Sequence, residues 1–206
     1  GRSHVDLKGS LKMKGTASQR LWLEESDSSH NIVLQTSCVV EYYGSGAGLS
    51  EIWKGPYENL VLRRSVATAA VADEIVVQKE LKIEDAIPAD GSVLSVKAKK
   101  QSYAGVVRCN RDAEFVAAGE IVFADKMLAA GHKVSIKAKE AKMEGDVEAG
   151  LMDLARESSS GSDKAKFRFL QKLTIAGASP SGLFSGAYVE LATTGASTAR
   201  AVSLSN

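Results

Sequence analysis

The chain has 206 residues, 44% of them hydrophobic and 25% charged, which excludes a disordered tail protein. Its 26 basic and 25 acidic residues leave a net charge of +1, against a nucleic-acid binder held by long-range attraction. No apolar run approaches the roughly 18 residues that a membrane-spanning helix needs.

The predicted elements alternate in their apolar residues instead of repeating them at helical spacing. Ile32, Leu34, Thr36, Cys38 and Val40 form one face of a first long strand, with Val33, Gln35, Ser37 and Val39 on the other, and the run ends at Gly44. Ile75, Val77, Lys79, Leu81 and Ile83 alternate with Val76, Gln78, Glu80 and Lys82. Leu94, Val96 and Ala98 face away from Val93, Ser95, Lys97 and Lys99. Val134, Ile136 and Ala138 oppose Lys133, Ser135, Lys137 and Lys139. The pattern returns at Phe167, Phe169, Gln171, Leu173 and Ile175, and at Ala187 to Leu191. Each lysine-bearing face is expected in solvent and each apolar face inside. Helix formers gather at Ala124 to Ala130 and at Val147 to Arg156, each a single turn or a further strand.

Glycine-rich turns separate these runs at Gly44 to Gly48, Gly55-Pro56, Pro88 to Gly91, Gly105, Gly119, Gly131, Gly145 and Pro180 to Gly182. Short strands with turns every 10–15 residues indicate an all-β sandwich or barrel. The stretch 157–165 reads as a surface loop, so the chain is expected to be one domain over 1–206. Its flanks, 1–20 and 190–206, are rich in Ser, Ala, Gly and Thr and are expected as extended arms.

Residues 73–107 align without gaps on 113–147 at an offset of 40, with twelve identities that include Ser95/Ser135, Lys97/Lys137, Ala98/Ala138 and Gly105/Gly145. A fainter copy starts at Ile32, where Gln35 matches Gln78. The echo has two readings. One is a repeat fold such as a trefoil or prism lectin. The other, preferred because the echo fades over 147–206, is convergence of similar hairpins within one sandwich.

Chemistry is hard to find. Cys38 and Cys109 fit no zinc spacing and read as small buried hydrophobes. His4, His30 and His132 offer no helical ligand pair and no evident triad. The acidic stretches Glu24 to Asp27 and Glu84-Asp85 read as solvated turns. The lysine clusters at Lys8 to Lys14, Lys97 to Lys100 and Lys137 to Lys139, with Arg63-Arg64, read as faces kept soluble more readily than as phosphate contacts. No catalytic, cofactor-binding or metal-ligating residue is assigned. A sugar-binding face would draw on Trp22, Trp53, Tyr42, Tyr43, Tyr57, Tyr103 or Tyr188, with Tyr42, Tyr43 and Trp53 the best placed.

The order of elements then suggests a family. A strand at 30–43 is followed by Trp53-Lys-Gly-Pro-Tyr57 and Asn59-Leu-Val-Leu-Arg63, a strand from Glu74 to Ile83, the turn Pro88 to Gly91, a strand from Ser92 to Lys100, and a late pair, Val147 to Ala155 and Lys166 to Ile175, ending in Ala176-Gly177. Over about residues 30–180 this resembles the jelly-roll coat proteins of picorna-like plant viruses (secovirid type) with small, separate subunits. The resemblance implies a jelly roll of about eight antiparallel strands and no enzymatic activity. It also implies a virion location after assembly in the host cytoplasm. Expected partners are other coat subunits in an icosahedral shell, with non-specific contact to viral RNA and none to membrane. A start at Gly1 without Met or secretory signal is compatible with release from a polyprotein or with an artificial start. The alternatives are a carbohydrate-binding β-module and a hydrolase using Cys109 or Cys38.

Overall fold

A computed structural model describes residues 4–7, 9–14, 31–34, 37–44, 52, 56–64, 69–85, 93–156, 165–175, 187–191 and 202–204. The strands are β1 (His4–Leu7), β2 (Ser10–Lys14), β3 (Asn31–Leu34), β4 (Val39–Gly44), β5 (Tyr57–Arg64), β6 (Ala69–Ile83), β7 (Leu94–Tyr103) and β8 (Val106–Cys109). They continue as β9 (Ala113–Phe123), β10 (Met127–Met143), β11 (Val147–Ala155), β12 (Ala165–Phe169), β13 (Leu173–Ile175), β14 (Ala187–Leu191) and β15 (Val202–Leu204). Of the two stretches of helix formers, Met127 to Ala130 and Val147 to Ala155 are strand, within β10 and β11.

Every strand pair among the described residues is parallel. This overturns the antiparallel jelly-roll sandwich, although the all-β class holds. The physical reason is that a period of two tells which side of a strand is buried and is silent about the direction of the partner strand. One wet face usually accompanies antiparallel pairing, because most parallel sheets are covered on both faces. Here a parallel sheet curls round its own core and leaves its outer face in water.

The register gives the plan of that curl. Val107 pairs with Met127 and Met127 with Val147, a step of 20 residues each time. Tyr103 pairs with Phe123 and Phe123 with Met143, again in steps of 20. The chain thus winds as a parallel β-solenoid, each coil stacked on the last at the strand spacing of about 4.8 Å. Four coils are markedly longer: Leu81 to Val107 and Val147 to Leu173 are each 26 residues, and Leu11 to Val40 and Leu173 to Val202 are each 29. Because β6 and β10 run on past a corner, the pairings β6–β7–β9–β10–β8–β6 close a barrel-like ring of five parallel strands around the core.

This geometry explains the echo. Ser95 stacks on Glu114 and Glu114 on Ser135, and Lys97 reaches Lys137 through Val116, so an offset of 40 is two coils. The same offset fails before residue 86. Glu80 pairs with Val106 across one of the longer coils, so Glu80 and Glu120 are not in one column. The echo is a true repeat over its second half, which corrects the preferred reading as convergent hairpins.

Turns and register breaks divide a regular coil into three straight runs, such as 94–98, 101–103 and 106–109. At one corner the same bond recurs in each coil. Ala104 N–H donates to Val77 O, Ala124 N–H to Tyr103 O, and Glu144 N–H to Phe123 O, each at 2.8 Å. Glycine is required where backbones meet there: a Cβ on Gly105 would sit 1.7 Å from the Lys79 carbonyl oxygen. The first predicted strand is broken at its own corner, where Ser37 takes a φ of 75° between β3 and β4.

The core fills the coil with stacked columns. Val40, Leu60, Leu81, Val107, Met127, Val147 and Leu173 make one such column, all buried. Another carries Tyr57, Val77, Tyr103, Phe123, Met143 and Phe169. Tyr103 stacks on Phe123 with ring centroids 5.2 Å apart, and Phe115 meets Phe123 edge-on at 5.2 Å, geometries that attract beyond simple burial. Of the two expected arms, the described parts, β1, β2 and β15 with the Glu190–Leu191 end of β14, are paired strands. The rest of the flanks, and the loop 157–164, lie outside the described residues.

Candidate functional site

On the run formed by the starts of β7 and β9 and by 133–137 of β10, outward side chains from successive coils form columns. Ser95, Glu114, Ser135 and Asp153 share one column, and Lys97, Val116 and Lys137 the next. They border a shallow groove of about 480 Å³, lined among others by Val93, Asp112, Glu114, Lys133 and Asp153.

Glu114 is the electrostatic centre of this surface. Ser95 Oγ donates to its carboxylate at 2.7 Å, and Lys137 Nζ reaches the other oxygen at 2.5 Å. Burial alone would raise the Glu114 pKa. The hydrogen bonds from Lys137 and Ser95, with the charges of Lys137 and Lys97, outweigh it and hold the carboxyl below its ordinary value. Alongside, Lys133 N–H donates to Asp112 at 2.8 Å while its ammonium pairs with Asp153, and His132 Nδ1 stands 3.9 Å from Asp112. Each of these contacts ties one coil to another.

The side that includes β5 and β8 repeats the device. Lys12 pairs with Glu41 at 3.2 Å, Glu41 with Arg63 at 3.4 Å, and Arg63 with Glu84. Further along, Glu80 accepts from Arg108 at 2.9 Å and pairs with Lys82 at 3.2 Å. Most of these pairs link one strand to the next, whereas Glu80–Lys82 lies within β6; exposed pairs of this kind contribute about 0–1 kcal/mol each.

The sequence candidates for chemistry are scattered. Cys38 and Cys109 are free, buried thiols; burial pushes Cys109 up to about 12, and burial with the Glu58 charge raises Cys38. Such thiols are poor nucleophiles. Tyr42, Tyr57 and Tyr103 are core residues, with the Tyr42 and Tyr57 hydroxyls 3.0 Å apart, and Tyr43 is half-buried. Trp22, Trp53, His30 and Glu24 to Asp27 lie outside the described residues. Lys99 and Lys139 are exposed, and Glu84 serves the Arg63 pair. Among the described residues no group of three or more His, Cys, Asp or Glu is placed to hold a metal ion, and no helix is long and apolar enough to cross a membrane.

Two polar features escaped sequence reading. Glu114 was not singled out, although Ser95/Ser135 and Lys97/Lys137 in the echo mark its column. Gln101 is buried, where its amide donates to the carbonyls of Val96 at 3.0 Å and Val116 at 2.8 Å and accepts from Tyr103 Oη at 2.8 Å. It sits where the ladder breaks register between Ala98 and Gln101. No family description, curated protein or solved structure matches this chain.

Proposed function

We propose that this chain is a structural subunit that works by association and not by catalysis. The observation that supports this most is the stack of nine parallel strands, β2-β4-β5-β6-β8-β10-β11-β13-β15, whose two outermost strands each have a single strand partner among the described residues. A sheet edge is a template for another strand. The surrounding features agree: the core is made of apolar columns, and the charged outer columns are spent on tying coils together. The buried thiols favour neither hydrolase candidate, and Tyr42, one of the favoured sugar-stacking residues, belongs to the core.

A virion coat is one setting for such a subunit, with copies or related subunits as partners. The particular route to an icosahedral shell of jelly rolls falls with the corrected fold. Light scattering over a concentration series, with electron microscopy of the same samples, tests the proposal. Mass should rise with concentration and assemblies should be visible. A monomer at every concentration rejects it.

A further inference from the structure

We infer that copies join head to tail, β15 of one molecule adding to β2 of the next, so that the assembly prolongs the molecule's own ladder. The inference rests on the association reading and specifies its partner, a second copy of this chain. Three observations carry it.

The first is polarity. All strands of the ladder run the same way, with β2 at one end and β15 at the other, and among the described residues each has a single strand partner. Adding β2 of a second copy to β15 therefore repeats the operation that stacks each internal coil. The contact joins different surfaces, so it does not close on two molecules and instead propagates.

The second is register. Leu11, Val40, Leu60, Leu81, Val107, Met127, Val147, Leu173 and Val202 occupy successive rungs of one column. Lys12, Glu41, Val61, Lys82, Arg108, Leu128, Glu148, Thr174 and Ser203 occupy the column beside it. The next copy's Leu11 falls on the rung after Val202, apolar on apolar, and its Lys12 on the rung after Ser203. Leu11 is only partly buried against the core, so one side of it remains to be covered.

The third is charge. Lysine on an edge strand commonly repels an incoming strand. Here Glu41 stands 3.2 Å from Lys12 Nζ and neutralises it, and a net charge of +1 gives copies little mutual repulsion.

The test places cysteines on the two rungs that would meet. Parallel neighbours stand about 4.8 Å apart, inside the roughly 4.4–6.8 Å that a disulfide spans between Cα atoms. The native thiols at Cys38 and Cys109 are buried and do not compete. On mild oxidation, the double variant Lys12→Cys, Ser203→Cys should give a ladder of covalent multimers on a non-reducing gel. A mixture of the two single variants should give dimers containing one of each. Micrographs of the unmodified protein should show fibres one molecule wide. Association without these cross-links, like-with-like dimers from the mixture, or closed particles in place of fibres would each overturn the head-to-tail contact and leave the association reading intact. A protein that never associates would overturn both.

Discussion

Two columns of the same coils are built from opposite materials. At one corner Ala98, Ala117 and Ala138 stack, all of them buried. A few residues along the same strands, Tyr103, Phe123 and Met143 stack, equally buried. The alanines lie beside the register breaks at Ala98/Gln101 and Ala138/Glu140, and the larger side chains lie beyond those breaks. The comparison teaches that equally buried positions of one coil take small side chains beside the corner and large ones beyond it, so the two columns should fail in opposite ways.

The largest effect is expected from emptying the aromatic column. Phe123→Ala removes a ring that packs on both Tyr103 and Phe115, and should destabilise by about 3–5 kcal/mol in denaturant titration. A cost under about 1 kcal/mol would mean that the aromatic column is not tightly packed. Overfilling the alanine column comes next: Ala117→Leu should cost about 3 kcal/mol, at the upper end for overpacking, because Ala117 is fully buried between Ala98 and Ala138. A neutral result there would break the comparison, since it would show space at the turn.

Between the two columns stands Gln101. Gln101→Leu keeps the volume near and leaves two carbonyls and the Tyr103 hydroxyl without their partner, at a cost of about 2 kcal/mol. Equal stability of the variant and the parent would show that the register break needs no such bridge. The smallest effect belongs to the outer surface. Glu114→Gln should cost less than about 1 kcal/mol, as for other half-exposed pairs. Because the folded carboxyl is held below its ordinary value, its contribution is present above the ordinary carboxylate range and fades as the pH falls through the lowered folded value. Thermal melts from pH 7 to pH 3 should show the parent losing its advantage over the variant in the acid range; an advantage that grows with acid would contradict the sign.

Much of the inside and outside of this fold was legible. Leu94, Val96 and Ala98 are buried opposite exposed Val93, as the alternation required, and so are Val134, Ile136 and Ala138. Lys79 shows where the rule stops: it shares the parity of buried Val77 and Leu81 but is exposed, because a corner intervenes. Strand direction was not legible, since Val107 would alternate identically beside a parallel or an antiparallel neighbour. The one signal for it was the spacing of Ser95/Ser135 and Lys97/Lys137, and the longer coil between Leu81 and Val107 disguised it by shifting the earlier half out of phase. The charged surface around Glu114 was hidden for the same reason, because its members meet only once coils are stacked.

The twenty-residue step makes length itself a countable property of this chain. Excising residues 108–127 would set Val107 where Met127 now stands, directly ahead of Leu128, and shorten the rod by one strand spacing with each stack still continuous. Removing one residue fewer would turn the following side chains inside out. Genetic duplication or loss of a whole winding is therefore an easy change for such a sequence, and a fractional one is not.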